Sequence, residues 1–273
     1  MTLRHFQPFP DLRGLIRKLW VFESAGRVPD EDLKLIVPNG LPKLVIPYKN
    51  GLQGKMEGWS HLSKEHGITL IGMTDIPSIV DAEKDMPSGT IGMEFSAAGA
   101  YRFFHFPQRE IRNRIYPLAE VLGCAAAGLQ ERVCNMPGVE GKIGLVQEFL
   151  REQLRKREED KILDFCVSAI LKSGGRISVR QLEKSTGYSG RWLNLKFSEN
   201  VGISPKAYAS IARFAQFYEP WVKSDRKAGF NGTLYDFFHD RSHFLKDFKR
   251  FTGYSPAKLA PIENAFGGIF YKD

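Results

Sequence analysis

The phrase "GRWLNLKFSENVGISP", residues 190–205, returns 51 residues later as "RSHFLKDFKRFTGYSP", residues 241–256. Leu193, Phe197, Gly202, Ser204 and Pro205 align with Phe244, Phe248, Gly253, Ser255 and Pro256. A repeat constrains a chain more than a lone motif does, because each copy must build the same supersecondary unit. In each copy the apolar pair stands four residues apart, which places both side chains on one face of a helix. The closing Ser-Pro has the chemistry of an N-cap and a first helical residue, so a further helix is predicted after each copy.

The polar residues fall opposite the apolar pairs. Ahead of the first copy, "ISVRQLEKSTG" reads as a helix opened near Ser178 and closed at Gly187, whose free backbone allows a sharp reversal. Ser189 then caps a second helix, on which Arg191, Asn194, Leu195 and Ser198 share one outward stripe at spacings i, i+3, i+4 and i+7. In the second copy Asp240 caps, Phe244 and Phe248 face inward, and Arg241, Ser242, Leu245, Lys246 and Lys249 line the free side. A helix that follows a tight turn and carries hydrogen-bonding side chains on its free face can lie in a major groove. Arginine matches the two acceptors of guanine and asparagine the donor–acceptor pair of adenine, each worth ~1–3 kcal/mol of discrimination. Both outward stripes offer side chains of that kind. Ser189, Ser198, Lys249 and Arg250 suit backbone phosphates. Two such heads would enter successive major grooves ~34 Å apart.

Charge separates this from the plainer reading of two amphipathic helices with solvated faces. Residues 174–261 hold 15 of the 39 Lys and Arg but only 7 of the 31 Asp and Glu, leaving 24 of each sign elsewhere. The whole net charge of +8 therefore sits in the segment that carries the repeat. A basic part joined to a neutral one points to a polyanionic partner.

At these residues the chain resembles the AraC/XylS family of bacterial transcription regulators. "GYSGRWLNLKFSENVGISPKAYASIARF" and "DRSHFLKDFKRFTGYSP" carry the resemblance, the second being the more specific. It implies a DNA-binding domain over 160–261, an all-α unit with helix-turn-helix elements at about 177–200 and 231–251 joined by a connecting helix, followed by a tail at 262–273. By motif position it places base contacts at Arg191, Asn194 and Leu195, then at Arg241, Ser242, Leu245 and Lys246. The sequence departs from the pattern in several places. Glu183 and Thr233 stand where the family has a small alanine, and Phe237 replaces a turn glycine. Gly229 and Gly232 weaken the helix before the second head, which Thr233 and Asp236 would start late. Pro220 is expected to kink or end the connecting helix.

Residues 1–158 read as a β-rich sensor or dimerisation domain with trailing helices. "LKLIV", "KLVIPY", "ITLIGM" and "GTIGMEF" look like short antiparallel strands separated by Pro, Asn and Gly turns. "PDLRGLIRKLWVF" spaces Leu12, Leu15, Ile16 and Leu19 as a helix, with Asp11 as its cap. Helices are also predicted from "AAGAYRFFHF", from "GKIGLVQEFLREQLRKRE", with Ile143, Val146, Leu150 and Leu154 on one face, and from "DKILDFCVSAILKSGG", with Ile162, Phe165, Cys166, Ala169 and Ile170 on one stripe. "FQPFPDLRGLIRKLWVFE" and "VPNGLPKLVI" are similar to sensor domains of one branch of the same family, which are cupin-like. The overall fold class is thus α+β, a cupin-like β-rich domain followed by an all-α one.

The function expected is a sequence-specific regulator binding double-stranded DNA, controlled by a small effector on the N-terminal domain. RNA polymerase and a second copy of the chain are expected partners. Two rivals stand beside it: an N-terminal domain that only dimerises or docks a partner, through the helix from Gly141 to Arg157, and an enzyme fused to a DNA-binding domain. His61, Glu65 and His66 in "HLSKEH" read as surface loop residues, so no metal, cofactor or catalytic residue is predicted. Cys124, Cys134 and Cys166 are odd in number and lack CxxC spacing, which favours a reducing compartment. No apolar run approaches the ~20 residues of a membrane helix, and a cytoplasmic location is expected.

Overall fold

The computed structural model describes residues 1–26, 28–154, 160–224, 238 and 240–271. Among these, the first half forms two antiparallel sheets. The larger takes the order β1 (Thr2–Phe6), β2 (Ile16–Ser24), β9 (Ser88–Phe95), β4 (Lys43–Lys49), β7 (Thr69–Ile71) and β10 (Ile115–Pro117). The smaller runs β3 (Leu35–Ile36), β8 (Ser78–Ala82), β5 (Leu52–Met56) and β6 (Trp59–Ser63).

The large sheet is buried on both faces, and its alternation explains why. Along β2, Leu19 and Val21 point one way and pack with Leu44, Ile46, Ile91 and Met93 under the helices. Trp20 and Phe22 point the other way, toward Leu52 and Val80 of the small sheet. Every residue of β9 is buried. Gly92 is required there, because a Cβ at that position would overlap the Trp20 indole. The helical spacing of Leu12, Leu15, Ile16 and Leu19 is therefore misleading: only Pro10–Leu12 forms a 3₁₀ turn, and β2 takes the rest as a strand between β1 and β9. A run that is apolar on both sides satisfies either period, and here sheet pairing decides. "HLSKEH" is corrected too, since His61 lies on β6 and only Glu65 and His66 follow it as a turn.

Helices α1 (Gly99–Phe104), α2 (Leu118–Leu122), α3 (Cys124–Asn135) and α4 (Val139–Leu154) cover the outer face of the large sheet. Ile143, Val146, Phe149 and Leu150 of α4 all enter that core. The boundary expected near 155–160 lies mostly outside the described residues.

The second half is helical: α5 (Lys161–Lys172), α6 (Val179–Thr186), α7 (Gly190–Asn200), α8 (Pro205–Lys223), α9 (Arg241–Thr252), α10 (Pro256–Leu259) and α11 (Ala265–Ile269). On α5 the inward stripe is Leu163, Cys166 and Ile170, while Phe165 is exposed, one position off the expected face. Pro220 neither ends nor precedes the end of a helix at once: α8 continues to Lys223, and the Ser224 N–H donates to the Pro220 carbonyl at 3.0 Å. Proline removes the donor that would meet the Gln216 carbonyl, and only one further turn follows it. Gly229, Gly232, Thr233, Asp236 and Phe237 lie outside the described residues.

The halves share one core. Leu35, Val37, Met73, Ala97 and Ala98 belong to the same buried cluster as Phe197, Tyr208, Phe214 and Phe251. After α10 the chain turns back to the sheets. The Asn264 side chain accepts from the Leu35 N–H at 2.8 Å and donates to the Leu35 carbonyl at 3.0 Å. Phe266 and Phe270 of this returning segment pack edge-on against Phe22 and Trp20, with centroids 5.2 and 4.9 Å apart. No helix among the described residues is long and apolar enough to cross a membrane.

Candidate nucleic-acid interface and internal cavity

The first head is built from α6 and α7. The Ser178 hydroxyl accepts from the Gln181 N–H, and the Gln181 side chain accepts from the Ser178 N–H, a reciprocal capping box. Gly187 closes α6 at φ 76°, in the left-handed region that a side chain disfavours. The Ser189 hydroxyl accepts from the Trp192 N–H at 3.3 Å and starts α7. Leu193 and Phe197 are buried, while Arg191, Asn194 and Leu195 are exposed and Ser198 is partly so. Leu195 is 56% exposed, unusual for a leucine in so well packed a unit. The Asn194 amide donates to the Gly190 carbonyl at 2.8 Å and would have to turn outward to meet a base.

Glu183, the odd residue in the position of a small one, has a local partner. Its carboxylate accepts from the Gly190 N–H, and Gly190 leaves space that a Cβ would take from Glu183 and Val179. Size is exchanged between the two helices, and the bond adds a second acceptor at the α7 N-terminus. Sequence reading also passed over Tyr188 and Trp192, whose rings stack 4.1 Å apart beside the same helix start.

The second head is α9. Asp240 caps it by accepting from the His243 N–H at 2.7 Å, and Gly253 closes it at φ 79°. Arg241, Ser242, Leu245, Lys246 and Lys249 are exposed, while Phe244 and Phe248 are buried. Aromatic packing on α8 holds this helix: Phe217 meets Phe244 at 4.9 Å and Phe214 meets Phe251 at 5.0 Å. An ion pair from Arg213 on α8 to the buried Asp247 on α9, 3.4 Å, adds a polar tie. Ser255 stands at the N-cap of α10 before Pro256, as the repeat predicts, but without a side-chain cap bond.

Arg250 is placed differently from its neighbours. Its guanidinium pairs with Asp75, a carboxylate of the β7–β8 loop that also accepts from Arg112 and Asn113, each at 2.7 Å. Burial pushes the Asp75 carboxyl up, yet these hydrogen bonds and the charges of Arg112 and Arg250 outweigh it and hold its pKa below the usual value. An open groove beside this cluster is lined by Glu57, Ile76 and Pro77 on one side and Lys246, Lys249 and Arg250 on the other.

Between the two sheets lies a cavity of about 230 Å³. Trp20, Phe22, Val45 and Leu52 line it from the sheets, and Phe266 and Phe270 from the returning C-terminal segment. Ala215 and Glu219 of α8 complete the wall. Its charged residues are Lys18, Lys43, Glu94 and Glu219. Lys43 lies 3.3 Å from Glu94, and Asn39 bonds both of them. The Trp20 indole N–H is buried without a hydrogen-bond partner.

Residues 4–117 match the family described as a domain of unknown function, DUF6597. No curated protein matches the chain. Among solved structures the chain is similar to ToxT from Vibrio cholerae, at 13% identity and a TM-score of 0.44, over 89% of this chain and 98% of that one. A form of ToxT with bound unsaturated fatty acid, from Vibrio cholerae strain SCE256, gives 12% identity and a TM-score of 0.44, over 90% and 95%. The AraC-like transcriptional activator CuxR gives 14% identity and a TM-score of 0.27, over 73% and 77%. The chain thus matches the DUF6597 model over residues 4–117, the stretch that carries strands β2 to β10.

Proposed function

We propose that the chain is an AraC-type, sequence-specific DNA-binding regulator of transcription whose N-terminal part takes a small effector. One observation carries the DNA reading: two side-capped helices, α7 and α9, each seat an apolar pair in a common core and leave Arg191, Asn194, Leu195 or Arg241, Ser242, Leu245, Lys246 exposed. Arg191 and Asn194 have the chemistry for purine edges, and Ser189, Ser198 and Lys249 for phosphates. The test is selection of duplexes from a random-sequence library by the full chain. A preferred sequence is expected, one half-site where α7 reads alone and two about one helical turn apart where α9 reads as well. Recovery of unselected sequence would sink the reading.

The cavity supports the effector part. A cavity of ~150 Å³ already admits benzene, so one of this size has room for a two-ring molecule. Its two lysines and two glutamates leave no net charge for an ionic ligand to neutralise. The unpaired Trp20 N–H offers one donor. These features favour an uncharged, largely apolar effector with a hydrogen-bond acceptor. A neutral naphthyl ketone is expected to raise the melting temperature of the full chain, and naphthoate to do so less. Equal shifts, or none from either, would count against it.

A pure docking role through α4 loses its surface, since the apolar stripe of that helix is spent on its own sheet. The fused-enzyme reading needs an activated thiol or a metal, and burial pushes the thiol of Cys166, the buried cysteine, up.

A further inference from the structure

We propose that Asp75 is an internal stand-in for a DNA phosphate, clasping the second recognition helix to the N-terminal part and holding it away from the duplex. The inference rests on the DNA-binding reading and concerns the regulation of that same surface.

The clasp is built before α9 arrives. Asp75 lies in the loop between β7 and β8, its side chain 2% exposed. Arg112 reaches it from Nη2 at 2.7 Å and from Nε at 3.3 Å. Asn113, at φ 54° in the left-handed region, donates its amide to the carboxylate and accepts from the Asp75 N–H at 2.9 Å. The remaining acceptor capacity goes to the Arg250 guanidinium, from the last turn of α9. A carboxylate and a phosphate present the same paired oxygens to a guanidinium, so they compete for it. Arg250 cannot serve both.

The surroundings extend the block. Glu57, at the tip of the β5–β6 hairpin, lines the groove that Lys246, Lys249 and Arg250 border from the other side. A phosphate strand tracking those three cations would run beside this carboxylate and be repelled. Pro77 packs against the C-cap of α9, lying 3.7 Å from where a Cβ of Gly253 would be. The N-terminal part therefore occupies space along the C-terminal half of α9. Among the ion pairs of the described residues, the N-terminal part meets α7 only near its C-terminal end, where Arg109 lies 3.6 Å from Glu199, and Arg191, Asn194 and Leu195 stay exposed. The two heads are thus unequal: the first is free to read, and the second must be released. Whatever opens the clasp raises DNA affinity, and by linkage DNA engaging both heads favours the open form.

The test compares the full chain with Asp75→Asn and Glu57→Gln, using a duplex selected on the wild-type chain. Asp75→Asn is expected to bind tenfold tighter or more, within the 5- to 150-fold range of typical coupling. Its footprint should lengthen by about one helical turn. Glu57→Gln, an exposed change that leaves the clasp bonds in place, should tighten binding in the same direction by a smaller factor. If both variants keep wild-type affinity and footprint on a duplex the wild type binds, the clasp is wrong and the DNA reading stands. Should Asp75→Asn fail to fold, Arg250→Ala takes its place: loss of the clasp should tighten binding and lengthen the footprint although a cation is lost, and weaker binding overturns the proposal. If no chain binds any duplex, the DNA reading falls and the clasp with it.

Discussion

Single residues in this chain do their work through partners far along the sequence. Gly92 exists to admit the Trp20 ring, 72 positions away across the β2–β9 pair. Gly92→Ala is expected to destabilise the fold by about 1–3 kcal/mol, read from the midpoint of urea unfolding. Asp75 depends on partners at 112, 113 and 250, and its folded pKa is depressed. A depressed carboxyl contributes stability that is fully present above its unfolded pKa, about 4, and is lost as pH falls through the lower folded value. The stability difference between wild type and Asp75→Asn should therefore shrink toward acid, and a constant difference across the range would refute the assignment. Neither relation was legible in the sequence, because no local pattern records which aspartate meets which arginine. Glu183 is the instructive intermediate case: it is visible as a misfit, yet it makes sense only beside Gly190.

Helices and strands were unequally readable. The heads α7 and α9 announce themselves through caps, turn glycines and apolar pairs, all of which are local signals, and these hold. Strand β2 was taken for a helix because its apolar residues fill both faces of a sheet buried on both sides. Strands β5, β6 and β8 escaped notice, being only half buried and without clean alternation. At this scale the stripe assignment makes a sharp prediction. Arg191→Ala should relax preference at one position of the selected site by ~1–3 kcal/mol, whereas Lys249→Ala, made in the Asp75→Asn chain, should weaken all sequences alike. Competition binding against single-position variants of the site distinguishes them, and identical behaviour of the two mutants would refute the stripes.

For the whole molecule, the confinement of charge to residues 174–261 predicts salt-sensitive association. The logarithm of the binding constant should fall linearly with that of salt, steeply enough to reveal several phosphate contacts. Releasing Arg250 from Asp75 should steepen that slope by about one, a readout independent of absolute affinity. The returning segment changes how the chain can be divided. Asn264 stitches itself to Leu35, and Phe266 and Phe270 roof a chamber whose floor is laid by the first strands. The segment from Asn264 to Phe270 is thus seated on β2 and β3. Cutting out the helical half at Pro261 would consequently unroof the other half, and the damage of such a truncation would surface in the two sheets.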